Sequence, residues 1–188
     1  MTRAALAAFA ILAFAAAPAF AGVIPVGHFD QIALRGGGHV LVKHGATQSV
    51  TLLSGDPAYT KFSIRHGGEL QIDACEGNCP EHYTIEIEIV TPELSGASIE
   101  GGGHIDAENG FPQQHGFDAA VSGGGHIDMR AISAAEVDAA VNGGGHIQIT
   151  ATRKLEAAVS GGGAITYNGD PEVEQAINGG GSVNRASK

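Results

Sequence analysis

Five near-copies of one short phrase constrain the fold of this chain more than any other feature. Each copy places three glycines between two runs in which apolar and polar residues alternate, as in DAAVSGGGHIDM and DAAVNGGGHIQI. The five triplets begin at Gly101, Gly123, Gly143, Gly161 and Gly179, at intervals of 22, 20, 18 and 18 residues. Another triplet stands alone near the N-terminus, at Gly36. Self-similarity with a period near 20 residues is typical of repeat proteins, in which each unit packs against its neighbours.

The alternation predicts a β-strand with one buried face on each side of every triplet. The predicted inward residues before the triplets are Phe117, Ala119, Val121, Val137, Ala139, Val141, Leu155, Ala157 and Val159, and those after them are Ile127, Met129, Ile147, Ile149, Ile165 and Tyr167. Because glycine accepts positive φ, each triplet predicts a corner between two strands. We therefore expect an all-β fold, a parallel β-solenoid (β-helix or β-roll) with coils of about 20 residues and glycine-rich corners.

The chain divides into a leader, a looser β region and the regular coils. Residues 1–21 combine an early Arg3, an apolar run and a final Ala-Phe-Ala, which is the layout of a secretory signal peptide. We expect residues 22–188 to form a single β-solenoid domain, with N-terminal strands that cap the stack in 22–92 and regular coils in 93–188. No later stretch is apolar for long enough to span a bilayer. The expected location is the periplasm, the cell envelope or the medium, reached by bacterial-type export.

The charge balance limits the partners. The chain has 20 Asp and Glu against 10 Lys and Arg, a formal net charge of −10. An acidic surface of this kind disfavours nucleic acid and anionic lipid as partners. Trp is absent and aromatic residues make up 5% of the chain, so a stacking platform for sugar rings or bases is poorly supported. We expect the partner to be a surface glycan or a protein, and a divalent metal is a further candidate.

Both cysteines lie in the short phrase CEGNC, as Cys75 and Cys79. In an exported protein, this spacing favours a local disulfide. The alternative is a metal site that also uses His82, in the pattern C-x3-C-x2-H.

A column of histidines is the sharpest candidate site. His104, His126 and His146 directly follow three successive triplets, and Asp106 and Asp128 stand two residues after the first two of these histidines. Residues two apart on a strand point to the same face, so stacked coils would bring these five side chains onto one patch. Imidazole and carboxylate groups suit zinc or copper. The alternative is a stack of exposed histidines that repeat duplication alone has multiplied.

The other histidines are less regular. His39 follows the first triplet, and it joins the column only if that unit stacks beside Gly101. The remaining five are expected to be surface residues: His28, His44, His66, His82 and His115.

A second column is acidic and lies beside a row of alanines. Its members, five residues before each triplet, are Asp118, Asp138, Glu156 and Glu174, and the alanines are Ala120, Ala140, Ala158 and Ala176. Carboxylates one rung apart repel, unless they splay into solvent or hold a hard cation such as calcium. No EF-hand loop or calcium-binding nonapeptide is present, so calcium is the weaker candidate. The acidic face with its small side chains is the expected interaction surface.

The repeated V-S-G-G-G-x-I units, preceded by a P-x-L phrase at Pro92 and Leu94, resemble the putative auto-transporter adhesin head GIN domain family. The resemblance covers roughly Phe29 to Arg185. It implies a β-solenoid of this type and an extracytoplasmic location, without an established activity. Family members commonly place Ser in the middle of the triplet, and Asp where this chain has His.

The expected function is therefore that of an exported, non-enzymatic module with a structural or adhesion role. The sequence contains no G-x-S-x-G or H-E-x-x-H motif, and no catalytic residue or cofactor is predicted. One alternative is a transition-metal-binding protein that uses the histidine column. Another is a polysaccharide-active β-helix enzyme, which would use paired carboxylates of the acidic column.

Overall fold

The computed structural model describes residues 22–187, and these residues form strands and no helix. The first half contains β1 (Gly22–Ile24), β2 (Gln31–Gly36), β3 (His39–His44), β4 (Ser49–Ser54), β5 (Lys61–Ile64), β6 (Glu69–Asp73) and β7 (Glu86–Thr91). The second half contains β8 (Gly96–Gly101), β9 (His104–Ala107), β10 (Gln114–Gly123), β11 (His126–Gly143), β12 (His146–Gly161), β13 (Ala164–Asn168), β14 (Glu172–Gly179) and β15 (Ser182–Arg185). The all-β prediction is confirmed. The predicted signal peptide, 1–21, lies outside the described residues.

The strands belong to one hydrogen-bonded sheet that runs as two ladders. The first ladder has the order β5-β6-β2-β8-β10-β11-β12-β14. The second has the order β1-β4-β7-β3-β9-β11-β12-β13-β15. Strands β11 and β12 serve both ladders, because their N-terminal parts pair in the second and their C-terminal parts in the first. Each glycine triplet connects a strand of the first ladder to a strand of the second.

Successive repeats pair in parallel, in the register obtained by aligning their triplets. Val121 lies beside Val141 in the first ladder, and Ile127 lies beside Ile147 in the second. The isolated early triplet follows the same rule, since Gly36 lies beside Gly101. The unit that contains Gly36 therefore stacks directly on the unit that contains Gly101, although the two are far apart in sequence.

The N-terminal strands depart from this parallel pattern at one end of each ladder. In the second ladder, β4 pairs antiparallel with both β1 and β7. In the first, β5 and β6 form an antiparallel hairpin in which Ile64 lies beside Leu70. Gly67 and Gly68 form its turn with φ of 93° and 82°, a conformation that glycine adopts without a steric cost. No part of the described chain, residues 22–187, forms a helix that is long and apolar enough to cross a membrane.

The core fills the space between the two ladders. The predicted inward residues of the repeats are buried, and Ile127, Ile147 and Ile165 have no exposed surface on three successive rungs. Tyr167 is the exception, since it is partly buried. Burial also decreases at the end of the first ladder. There β14 pairs with β12 alone among the described strands, and its Ile177 is 43% exposed.

The three glycines of a corner have different environments. In the triplet that begins at Gly143, this first glycine has a φ of 125°, and a Cβ added to it would lie 2.5 Å from the carbonyl oxygen of Gly123. A Cβ on Gly145 would lie 2.4 Å from Cγ1 of Val121, whereas one on Gly144 would meet no atom within 4 Å. The middle position of the corner therefore has room for a small side chain.

Reduction of the Cys75–Cys79 disulfide, which lies in the loop after β6, is expected to lower the free energy of unfolding. A loop this short gives about 2 kcal/mol by chain entropy. Urea unfolding with and without reductant measures the difference, and a thiol count under denaturant should find no free thiol before reduction. The Cys75→Ser/Cys79→Ser variant is the control, since its stability should not respond to reductant. Free thiols found before reduction would contradict the disulfide.

Candidate functional site

The outer face of the first ladder carries a groove with a volume of about 600 Å³. The predicted acidic column, Asp118, Asp138, Glu156 and Glu174, lies along it, and its floor includes Ser98, Ala120, Ala140, Ala158 and Ala176. Neighbouring members of the column are directly paired residues of adjacent strands. Adjacent strands lie about 4.8 Å apart, so the four carboxylates extend over about 14 Å.

The carboxylates of this groove are only partly neutralised. Lys154 forms an ion pair with Glu156 at 2.5 Å and lies 3.8 Å from Glu174. Within residues 22–187, neither Asp118 nor Asp138 takes part in an ion pair. Burial, followed by the charges of Glu156 and Asp118, raises the pKa of Asp138 above its ordinary value. The groove therefore has a negative potential that a cationic group would relieve.

The histidine column lies on the outer face of the second ladder. His104, His126 and His146 are paired residues of β9, β11 and β12. The imidazole rings stack, with centroids 5.7 Å apart between His104 and His126 and 6.2 Å apart between His126 and His146. His39 also belongs to the column, because it lies beside His104.

Two carboxylates flank these rings, and each has its own partner. Oδ2 of Asp106 lies 2.7 Å from Nε2 of His39. Asp128 accepts hydrogen bonds from Nε of Arg130 at 2.8 Å and from its NH2 group at 2.5 Å. Potential ligand atoms of Asp106, His126 and Asp128 all lie within 4.8 Å of one another. The structure thus brings together three of the five residues predicted as metal ligands, and His104 and His146 lie outside that group.

His126 occupies the centre of the stack and is half-buried. Burial lowers the pKa of its imidazole, and the charge of Asp106 opposes this effect. Nε2 of His126 also lies 3.3 Å from the amide nitrogen of Gln148 on the next rung. Burial raises the pKa of Asp128, but the hydrogen bonds from Arg130 outweigh it and hold that pKa below its usual value. The carboxylate of Asp128 is therefore ionised beside a largely neutral imidazole at neutral pH.

Sequence reasoning missed Arg130 as a neighbour of this cluster and left the place of His39 open. Arg130 stands two residues after Asp128, so the same period of two could have placed it on this face. The contact between His39 and Asp106 had no local signal, because 67 residues separate them. The other five histidines are exposed, as expected. His82 does not share a metal with Cys75 and Cys79, since both sulfurs are in the disulfide.

A comparison with protein families finds one match. The model of the family described as "Putative auto-transporter adhesin, head GIN domain" matches residues 28–116 and 113–171. None of the curated proteins searched matches the chain.

A comparison with solved structures also finds matches. A putative adhesin from Bacteroides fragilis is 19% identical, with 89% of this chain and 96% of that chain covered and a TM-score of 0.56. A putative adhesin from Parabacteroides distasonis is 18% identical with the same coverage and a TM-score of 0.45. A putative lipid binding protein from the same species is 18% identical, again with coverage of 89% and 96% and a TM-score of 0.40. The first of these likenesses supports the fold.

Proposed function

Because the chain belongs to the family of the putative auto-transporter adhesin head GIN domain, we propose that it is an exported, non-enzymatic β-solenoid module that binds a partner at the cell envelope. The layout of residues 1–21 supports export. The in-register parallel pairing of successive repeats supports the solenoid architecture. The family's description as an adhesin supports an adhesive role.

The acidic groove of the first ladder is the observation that carries this proposal. It combines a row of carboxylates with a floor of small side chains, and it follows the stacking direction across several rungs. Burial is the main cause of the raised pKa of Asp138, and opposite charge on the partner would relieve the repulsion from Glu156 and Asp118 that adds to it. The groove therefore favours a cationic, elongated ligand.

The chemistry of the floor narrows the partner further. No aromatic side chain lines the groove, so it offers no stacking surface for sugar rings. Alanine methyl groups instead suit the aliphatic stems of lysine and arginine, which lie along apolar surface while their charged heads reach a carboxylate. We infer that the partner contributes an extended segment rich in Lys or Arg.

The same groove gives weak support to the enzyme alternative. Glycosidases place two carboxyl groups, with distinct roles, at a set separation across the scissile bond. Here the carboxylates recur on every rung from Asp118 to Glu174, and the floor contains no histidine or cysteine to act as an acid, a base or a nucleophile. A continuous row of like charges is better suited to holding a repeated cation than to one cleavage.

Neutralising the centre of the acidic column is expected to weaken cation binding at least tenfold. The variant is Asp138→Asn/Glu156→Gln, which removes two charges from the groove wall. Calorimetric titration of the exported protein with a short lysine-rich peptide at low salt measures the affinity. Binding to the parent protein should fall as salt is raised, because exposed charges are screened.

A matched control separates groove binding from attraction to the acidic surface as a whole. Glu81→Gln/Glu93→Gln removes the same two charges outside the groove, and this variant should bind the peptide like the parent protein. An equal loss in both variants would assign binding to net charge and would contradict the groove as the site. Failure of the parent protein to bind the peptide would contradict a cationic partner.

A further inference from the structure

We propose that Asp106, His126 and Asp128 form a binding site for one divalent transition-metal ion on the outer face of the second ladder. The site is separate from the acidic groove, which lies on the first ladder. It also differs from a column of three histidines, because one imidazole and two carboxylates supply the ligands.

The distances need little adjustment for metal binding. Zinc is bound by imidazole nitrogen and carboxylate oxygen at about 2.0–2.2 Å in tetrahedral geometry, so two ligand atoms on one ion lie about 3.3–3.6 Å apart. The potential ligand atoms of the three residues already lie within 4.8 Å of one another. Their backbones are fixed, since Asp106 is paired with Asp128 in adjacent strands of the ladder. Small rotations of partly buried side chains would complete the approach.

The stacked geometry argues against the three-histidine alternative. Ring planes of His104 and His126 differ by 24°, and those of His126 and His146 by 26°. The lone pair of an imidazole nitrogen lies in the plane of its ring, so the lone pairs of stacked rings run side by side. The carboxylates of Asp106 and Asp128 can reach the edge of the His126 ring, where its nitrogens lie. The rings of His104 and His146 instead turn their faces toward His126.

The surroundings of the cluster are those of a supported metal site. Ligating carboxylates and imidazoles are commonly held by hydrogen bonds from a second layer of residues. His39 contacts Asp106 at 2.7 Å and can orient its carboxylate. The Gln148 side chain lies 3.3 Å from Nε2 of His126 and can orient the ring. Both neighbours lie on the same outer face as the cluster.

Arg130 is the counter-ion of Asp128 when no metal is bound. Its guanidinium contacts both carboxylate oxygens, and a metal would have to share or displace one of these contacts. Removing this cation should therefore tighten metal binding.

The experiment is a calorimetric zinc titration of the untagged, metal-stripped exported protein at neutral pH. We expect one zinc ion per chain, with affinity at least tenfold lower in Asp106→Asn and in His126→Ala. His146→Ala is the matched control, because it removes a stacked imidazole outside the cluster, and its affinity should stay within about twofold of the parent value. Arg130→Gln should bind zinc several-fold more tightly. Circular dichroism and the unfolding midpoint verify that each variant is folded.

Three results would overturn the proposal. Unchanged affinity in both Asp106→Asn and His126→Ala would exclude this cluster. Equal losses in His126→Ala and His146→Ala would assign binding to the histidine column. Calcium that displaces zinc at equal concentration would indicate a site for hard cations. The groove variant Asp138→Asn/Glu156→Gln should bind zinc like the parent protein, so failure of the groove proposal leaves this one independently testable.

Discussion

Gly143→Ala is expected to lower the free energy of unfolding by about 3 kcal/mol, whereas Gly144→Ala in the same triplet should leave it unchanged or slightly higher. The φ of Gly143 is 125°, a region that L-residues enter at a cost of about 1–3 kcal/mol. Its added Cβ would also press on the carbonyl oxygen of Gly123, which belongs to the rung below and cannot yield without disturbing the corner hydrogen bonds. Gly144 has neither constraint.

Urea and thermal unfolding, followed by circular dichroism, test this pair. In a chain of this size, 1 kcal/mol corresponds to about 2–4 °C, so Gly143→Ala should lower the unfolding midpoint by roughly 6–12 °C. Gly144→Ala is a control for the Gly-to-Ala change itself, since it occurs one residue away in the same corner. Equal midpoints for the two variants would show that the corner is not built as described.

Ile99→Ala should cost about 3 kcal/mol, and Ile177→Ala about 1 kcal/mol or less. The two residues occupy the same repeat position, before the triplets of the first and the last regular coil. Ile99 is 1% exposed, and it packs under the next corner, where a Cβ on Gly125 would meet its side chain at 2.6 Å. Ile177 is 43% exposed.

The same two-state unfolding measurement applies to both isoleucine variants. Both variants remove the same atoms. The difference between their free energies of unfolding therefore measures how much a covering repeat adds to the loss. If Ile177→Ala were as damaging as Ile99→Ala, then a further chain or segment would have to cover the last coil in solution. Concentration dependence of the midpoint would then identify a second copy of the protein as that cover.

Repetition made the strands of the repeats and their parallel pairing predictable. Once the triplets are aligned, the period of two assigns an inward or outward direction to the residues on each side of a triplet, and burial agrees with that assignment. The alternation breaks between Met129 and Val137, where Ile132 and Ala134 are buried and the pairing with β12 shifts register. The pairing of successive histidines followed from the same alignment. Both results depend on local spacing, which a single sequence contains in full.

The parts without repetition could not be read in this way. The spacing between Gly36 and Gly101 gave no register, so the place of His39 in the column required the structure. The antiparallel pairing of β4 with β7 depends on the path of the chain between them, which includes β5 and β6. The alternation of apolar and polar residues does not encode that path. The stacking of His104 and His146 on His126 is a matter of side-chain rotamers, and both residues lie outside the candidate ligand set.

The repeat that ends at Gly179 carries a polar residue at one inward position, unlike the repeat beneath it. Gln175 there stands where Ala157 is buried on the rung below, so a polar side chain occupies a place that a further coil would have to cover. Each repeat contacts its immediate neighbours. A duplicated repeat inserted beneath this rung would therefore pack against neighbours like those of the original copy, both above and below. The number of repeats thus sets the length of the two ladders. Each added copy would lengthen the acidic groove by about 4.8 Å, so the number of repeats that the gene encodes determines the length of the groove.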